Sequence, residues 1–205
     1  QRELPFRIRY VACSDAEEVA RAIETMVVRG APAIGLAAAF GLALEARKSG
    51  DLTVPRERLA RSRPTAVNLF WALRRLAPLE ALPPEELEVR MVREARSMLE
   101  EDRERNRLLG AHGAALLPFE GGVLTHCNAG ALATGGYGTA LGVLRAAREQ
   151  GKRLNVYADE TRPRLQGARL TAFELFEEGF PFQVICEGMA ASLMRQGRVD
   201  AVITG

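Results

Sequence analysis

The sequence predicts an α/β fold, in which a mainly helical N-terminal domain over residues 1–118 precedes a Rossmann-like parallel-sheet domain over residues 119–205. Three observations lead to this prediction. Apolar residues recur at helical intervals through the first half of the chain. Pro118 and the pair Gly121-Gly122 then mark a change of pattern. Beyond them, short apolar strands alternate with helices, which is typical of a parallel sheet with crossover helices.

The first domain is predicted to contain four helices. Ser14-Asp-Ala-Glu17 has the spacing of a capping box at the start of the first helix. Gly30 suits the C′ position at the end of the same helix, and Pro32 suits the first turn of the second helix. The predicted elements are a short strand over residues 3–10, helices over residues 14–29 and 32–48, a polar loop, a helix opened by Arg63-Pro64-Thr65, and a long charged helix from Pro83-Pro84 to about Leu117.

The second domain is predicted to alternate strictly between strand and helix. The strands are predicted over residues 122–126, 153–158, 182–186 and 199–204, and the helices over residues 137–150, 171–178 and 188–196. The chain begins with Gln1 and ends at Gly205, directly after an apolar strand. Because ligands bind at the carboxyl ends of parallel strands, we expect the Rossmann-like domain to be truncated at its C-terminal side.

Composition excludes several classes of function. The 28 basic and 26 acidic side chains nearly balance, so charge gives no support for nucleic-acid binding and favours a small charged ligand. The longest apolar stretch, residues 31–44, is shorter than the ~18 residues of a membrane span, so we expect no membrane segment and no signal peptide. Three irregularly spaced cysteines and two histidines favour neither disulfides nor a metal site, and indicate a reducing cytoplasm.

Cys127 is the leading candidate for chemistry, because a predicted strand ends beside it and a glycine-rich turn follows. The turn and the start of the next helix present backbone N–H groups that suit an anionic group. The competing interpretation is a small buried apolar residue, the commonest role of a free cysteine, and it is preferred for Cys13 and Cys186. His126 should point to the opposite face of the strand, which disfavours a Cys-His nucleophilic pair.

Arg29 and Arg63 each precede a predicted helix start, where a guanidinium and free N–H groups can face one anion. An arginine in this position is more often a surface cap, but with the glycine-rich turn the two predict a phosphate pocket. The charged loop over residues 159–169 is either solvated or, because it leaves the same sheet edge as Cys127, able to close Gln166 or an arginine over a ligand.

Five motifs, in order along the chain, resemble the methylthioribose-1-phosphate isomerase family. They are Arg29-Gly-Ala-Pro-Ala-Ile-Gly35, Arg63-Pro-Thr-Ala-Val-Asn-Leu69, Thr125-His-Cys-Asn-Ala-Gly-Ala-Leu-Ala-Thr134, Tyr137-Gly-Thr-Ala-Leu-Gly142 and Asp159-Glu-Thr-Arg-Pro-Arg-Leu-Gln-Gly-Ala-Arg169. The resemblance implies conversion of 5-methylthioribose 1-phosphate to 5-methylthioribulose 1-phosphate in methionine salvage, with no metal or nucleotide cofactor, by a homodimer. It implies that Cys127 is catalytic and that the substrate contacts are Arg29, Gly30, Ala31, Arg63 and Gln166.

The family's catalytic aspartate is expected beyond Gly205, so the resemblance implies that residues 1–205 alone are inactive. Two alternatives share the fold, and fold does not fix function. One is an isomerase of a related sugar phosphate such as ribose 1,5-bisphosphate. The other is a non-enzymatic regulatory subunit like those of initiation factor 2B. Cys127 within a complete His-Cys-Asn-Ala-Gly motif favours the enzyme, and the spacing of the glycines over residues 135–142 disfavours a dinucleotide site.

Overall fold

The computed structural model describes residues 1–48 and 50–205, and within them the chain forms eight α-helices and four strands. The helices are α1 (Ala16–Glu24), α2 (Ala31–Ala46), α3 (Thr53–Ser62), α4 (Val67–Leu76), α5 (Pro84–Ala115), α6 (Ala140–Glu149), α7 (Ala172–Glu177) and α8 (Ala190–Arg195). The strands are β1 (Glu120–Thr125), β2 (Arg153–Asp159), β3 (Phe182–Ile185) and β4 (Ala201–Ile203). The predicted α/β class is confirmed.

The chain divides into two compact units. Residues 1–2 and 9–102 form the helical unit, and residues 3–8 and 103–205 form the sheet unit. The chain passes from one unit to the other within α5, because the second half of this helix packs on the sheet unit. A Cβ on Gly110 would lie 2.8 Å from the carbonyl oxygen of Gly142, and a Cβ on Gly113 would lie 2.5 Å from Val143 Cγ2. The domain boundary at residue 118 stays a prediction.

The first helix of the helical unit is capped one residue later than predicted. Asp15 Oδ1 accepts a hydrogen bond from the Glu18 N–H at 2.8 Å, and Glu18 Oε2 accepts one from the Ser14 N–H at 2.6 Å. The helix ends at Glu24, well before Gly30. The assignment of Gly30 as a C′ glycine was therefore wrong: with φ of 98°, it is the N-cap residue of α2.

The prediction of a polar loop before Arg63 is also wrong, because most of this segment forms α3. This helix was missed because its exposed face is strongly charged, while only Leu59 and Ser62 of it are buried. Arg58 of α3 binds α1 through Glu17 at 2.5 Å and Glu24 at 2.6 Å. The core of the helical unit is built from apolar residues of α1 to α5, including Ile23, Leu42, Leu59, Leu69, Leu76, Leu87 and Met91.

Residues 3–10 do not form the predicted strand. Leu4 is instead buried, and its carbonyl oxygen accepts a hydrogen bond from Arg169 Nε at 3.2 Å, which joins residues 3–8 to the sheet unit.

The sheet unit is built on four parallel strands in the order β3-β2-β1-β4. Alternate residues face opposite sides of the sheet. On one side Val123 and Val156 join a core with α5, α6 and α7, and on the other Leu124 and Tyr157 pack with Leu193 of α8. Strands that follow one another in the chain are joined by a segment that contains a helix, as the sequence predicts.

The helix after Cys127 begins later than predicted. Tyr137 and Gly138 have φ of 67° and 79°, outside the right-handed helical region, so α6 starts only at Ala140. A single π turn (Gly167–Thr171) precedes α7, and a 3-10 turn (Glu187–Met189) precedes α8. Among the residues that the structure describes, no helix has the length and apolar character required to cross a membrane.

Candidate active site

Cys127 lies two residues beyond the end of β1, at the carboxyl edge of the parallel sheet. Its thiol is free and the residue is exposed. Its φ of 66° is in the left-handed region, which residues with a Cβ adopt infrequently and which is common at functional sites. The sequence placed this residue correctly at a strand end, but its backbone conformation was not foreseen.

Two threonine hydroxyls hold the Cys127 backbone from either side. The Cys127 N–H donates to Thr161 Oγ1 at 2.9 Å, and Thr171 Oγ1 donates to the Cys127 carbonyl oxygen at 2.6 Å. Both threonines are buried, and Thr161 also donates to the carbonyl oxygen of Asp159 at 3.1 Å. The loop after β2 therefore fixes the peptide that carries the thiol.

Gln166 reaches the sulfur itself. Gln166 Nε2 donates to Cys127 Sγ at 3.4 Å, a normal distance for a hydrogen bond to sulfur. The Gln166 Oε1 atom is buried and has no hydrogen-bond partner among the described residues. The two predicted site residues of the sheet unit are thus brought into direct contact.

His126 is engaged away from the thiol. Its Nδ1 lies 3.1 Å from Asp159 Oδ2, and the aspartate is buried while the imidazole is half-exposed. The imidazole thus has a partner other than the thiol. The sequence did not identify Asp159 as its partner.

The glycine-rich turn already binds an anion, which is a carboxylate of this chain. The Ala131 and Leu132 N–H groups donate to Glu174 at 2.7 and 3.3 Å. A Cβ on Gly130 would overlap the Glu174 carboxylate, so a side chain there would displace the carboxylate from this position. The N–H groups at this part of the turn are therefore not available to a phosphate, contrary to the expectation from sequence.

Glu174 and Arg145 are the site residues that sequence reasoning missed. Their buried ion pair has Arg145 Nη2 2.9 Å from Glu174 Oε2, and Arg145 Nε binds Glu178 at 2.9 Å. Burial acts to lower the pKa of Arg145, but its hydrogen bonds with Glu178 and Glu174 outweigh this, so the pKa is raised. The only sequence signal was a charged residue on the inner side of each of two predicted helices.

Arg29 and Arg63 lie in the helical unit, close to the starts of α2 and α4. Arg29 precedes the N-cap of α2, and Arg63 is the C-cap of α3, four residues before α4. Neither α2 nor α4 has a side-chain N-cap hydrogen bond. The two helices approach closely near their first turns, since a Cβ on Gly35 would lie 2.7 Å from the carbonyl oxygen of Asn68.

This approach brings two uncapped helix N-termini together within the helical unit. Gly30 and Ala31 form the start of α2, and Ala31 is exposed. Paired helix N-termini with nearby guanidinium groups suit a phosphate. The predicted site residues thus stand in two groups, Arg29, Gly30, Ala31 and Arg63 in the helical unit, and Cys127 and Gln166 in the sheet unit.

The other cysteines differ from Cys127 in their surroundings. Cys13 is half-buried against the helical core, and burial, followed by the charges of Glu18 and Asp15, raises the pKa of its thiol. Cys186 is exposed directly after β3 and is the N-cap residue of a 3-10 turn. Within residues 1–48 and 50–205, no group of three or more His, Cys, Asp or Glu side chains is arranged to hold a metal ion.

With this fold and this site, the chain belongs to the initiation factor 2 subunit family, whose family profile matches residues 27–205. Two curated relatives are named methylthioribose-1-phosphate isomerase. The protein from Thermotoga neapolitana is 56% identical, and the alignment covers 100% of this chain and 62% of the relative. The protein from Syntrophotalea carbinolica is 53% identical, with 100% of this chain and 63% of the relative covered.

Two solved structures match at equal sequence identity but carry different names. The 5-methylthioribose 1-phosphate isomerase from Pyrococcus horikoshii OT3 is 46% identical with a TM-score of 0.92, over 100% of this chain and 61% of that one. The translation initiation factor eIF-2B subunit delta from A. fulgidus is 46% identical with a TM-score of 0.86, over 99% and 63%. The resemblance inferred from the motifs is confirmed, and the chain spans less than two thirds of the length of these relatives.

Proposed function

We propose that the chain carries the cysteine half of the active site of a methylthioribose-1-phosphate isomerase. The observation that supports this most is Cys127, an exposed residue after a strand end with a left-handed backbone conformation. Two buried threonines form hydrogen bonds to its backbone, and a side-chain amide N–H group donates to its sulfur. The names of relatives at 53 to 56% identity supply the substrate, methylthioribose 1-phosphate. The family resemblance implies the product, 5-methylthioribulose 1-phosphate.

The chemistry explains the need for a fixed thiol. A phosphate on C1 blocks the simple ring opening of a free aldose, so the enzyme must cleave the ring and move hydrogen between C2 and C1. A proton donor and acceptor must therefore be held against the sugar. Cys127 serves as one such group, and Gln166, whose side-chain N–H group faces the sulfur, is the proposed sugar contact beside it.

The phosphate is assigned to the helical unit. Arg29 and Arg63 provide charge, and the start of α2 at Gly30 and Ala31 provides N–H groups that no side chain caps. The glycine-rich turn is removed from this role because Glu174 occupies it. We further propose that the protein acts as a cytoplasmic homodimer without a metal or nucleotide cofactor, which the family resemblance supports; turnover should persist after treatment with a chelator.

The test compares two exposed cysteines of the sheet unit, each following a strand end. In the complete gene product, Cys127→Ser should lower kcat for 5-methylthioribose 1-phosphate by roughly 100-fold or more, the usual scale for a lost proton-transfer group. Cys186→Ser is the matched control and should keep kcat. Near-normal turnover by Cys127→Ser, with both variants folded by circular dichroism, would contradict the catalytic assignment.

A second candidate function is a non-enzymatic regulatory subunit. It is favoured by one observation, the 46% identity to a solved structure named as initiation factor eIF-2B subunit delta. This function does not require a reactive thiol. Absence of turnover by the complete wild-type gene product, together with unchanged partner binding by Cys127→Ser, would favour the regulatory subunit over the isomerase.

A further inference from the structure

The Glu174 network, which we define as Thr171, Asn128, Glu174 and Arg145, is hydrogen-bonded to the backbone of Cys127. Thr171 Oγ1 donates to the Cys127 carbonyl oxygen at 2.6 Å and accepts from Asn128 Nδ2 at 3.2 Å. Asn128 Nδ2 also donates to Glu174 Oε1 at 3.0 Å. An unbroken series of hydrogen bonds therefore connects the peptide of the exposed cysteine to a buried carboxylate.

Glu174 is the centre of this network. Its residue is 6% exposed, and its two oxygens accept hydrogen bonds from Asn128, from the N–H groups of Ala131 and Leu132, and from Arg145. All of these partners except Arg145 belong to the segment that begins at Cys127. One carboxylate thus holds the backbone on the C-terminal side of the thiol at several points.

Stability alone does not explain such an arrangement. A buried ion pair commonly contributes little net stability compared with well-packed apolar side chains, because desolvation of both charges offsets their attraction. A buried polar group with several fixed partners does restrict the backbone to one conformation. The segment that it restricts here contains Cys127, whose φ of 66° is uncommon and needs such support.

We propose that Glu174 is a positioning residue for Cys127, acting through Asn128 and Thr171. The inference rests on the proposed function for the role of the thiol in turnover, but it can be tested on thiol geometry without any turnover. Arg145 neutralises the carboxylate, and Gly130 gives it the space to reach the turn.

The first test removes one hydroxyl of the network. In a Cys13→Ala, Cys186→Ser background, Cys127 is the only thiol left within residues 1–205, and its alkylation by iodoacetamide is followed by mass spectrometry of the peptide that contains it. Thr171→Val should change the rate at least threefold in either direction, because a displaced sulfur alters both its exposure and its contact with Gln166. Thr171→Ser, which retains the hydroxyl, should restore the parent rate.

A matched control separates this effect from the loss of any buried hydroxyl. Thr125→Val changes a buried threonine of β1 that lies outside the Glu174 network, and its alkylation rate should stay within twofold of the parent. A change below threefold in Thr171→Val would overturn the proposal. So would an equal change in Thr125→Val, or failure of Thr171→Ser to restore the rate.

The second test reaches the carboxylate. Glu174→Gln preserves the shape of the side chain but removes its charge, and should also change the alkylation rate at least threefold if it folds. A folded Glu174→Gln protein with the parent rate would overturn the proposal; if it does not fold, the Thr171 variants decide. In the complete gene product, Thr171→Val should lower kcat at least tenfold with KM within threefold. A wild-type enzyme without turnover would instead refute the proposed function and leave the alkylation test standing.

Discussion

Gly35→Ala tests the close approach of α2 and α4, on which the proposed phosphate site depends. An added Cβ would lie 2.7 Å from the carbonyl oxygen of Asn68 and 3.2 Å from its carbonyl carbon. An ordinary contact requires at least 3.4 Å, and the obstacle is helix backbone that no rotamer change can remove. One helix must therefore shift by several tenths of an ångström relative to the other.

Two opposing effects determine how much Gly35→Ala changes the free energy of unfolding. Alanine in a helix interior is favoured over glycine by roughly 0.5–1 kcal/mol, whereas overpacking a filled interface costs about 1–3 kcal/mol. We expect a net loss of about 1–2 kcal/mol in the free energy of unfolding of the helical unit. With a urea m-value of about 2 kcal/mol/M, the midpoint should fall by about 0.5–1 M.

Trp71 provides the assay, because it is the only tryptophan of the chain and lies in α4. Its fluorescence in urea reports on the helical unit. Gly41→Ala, in the same helix, is the matched control: its Cβ would meet Val19 side-chain atoms at 3.3 Å, which can retreat slightly. Gly41→Ala should match or exceed the parent stability, and a Gly35→Ala midpoint equal to that of Gly41→Ala would refute the reasoning.

Two further predictions concern charged side chains of the helical unit. In the complete gene product, Arg29→Ala and Arg63→Ala should each weaken the binding of a phosphorylated substrate analogue at least tenfold, as measured by calorimetry. Arg61→Ala is the control, because Arg61 is exposed at the end of α3, and it should leave the affinity unchanged. Equal affinity in all three variants would remove Arg29 and Arg63 from the site. The hydrogen bond from Arg58, then that from Arg21, lowers the pKa of Glu17 below its ordinary value of 4.5, so the stability from this pair is present above pH 4.5 and is lost as the pH falls further. The difference in unfolding midpoint between wild type and Arg58→Met should accordingly shrink below pH 4.5, and a difference independent of pH would contradict the assignment.

Much of the sheet unit could be predicted because its signals are local. Each strand is a short apolar run bounded by turn residues, and alternation with helices specifies a parallel sheet. The predicted strand at residues 122–126 differs from β1 by no more than two residues at either end. The same local signals predict the position of Cys127 at the carboxyl edge of the sheet.

The errors arose where tertiary contacts outweigh local pattern. α3 has few apolar residues and is held to α1 by ion pairs of Arg58 with residues more than thirty positions earlier in the sequence. Gly30 has a sequence context that suits a helix end, yet α1 stops earlier and the glycine begins α2. The late start of α6 follows from positive φ at Tyr137, which no propensity of tyrosine predicts.

The sequence by itself determined the family motifs, the position of Cys127 and the arginines beside helix starts, because each depends on residue type and short-range order. Only the tertiary structure decided which groups these residues meet. Gln166 reaches the sulfur of Cys127 from thirty-nine residues away, and Glu174 fills the glycine-rich turn that looked suited to a phosphate. The physical reason is that an N–H group forms a hydrogen bond with whichever acceptor the fold brings near, and the packing of distant segments determines which acceptor that is.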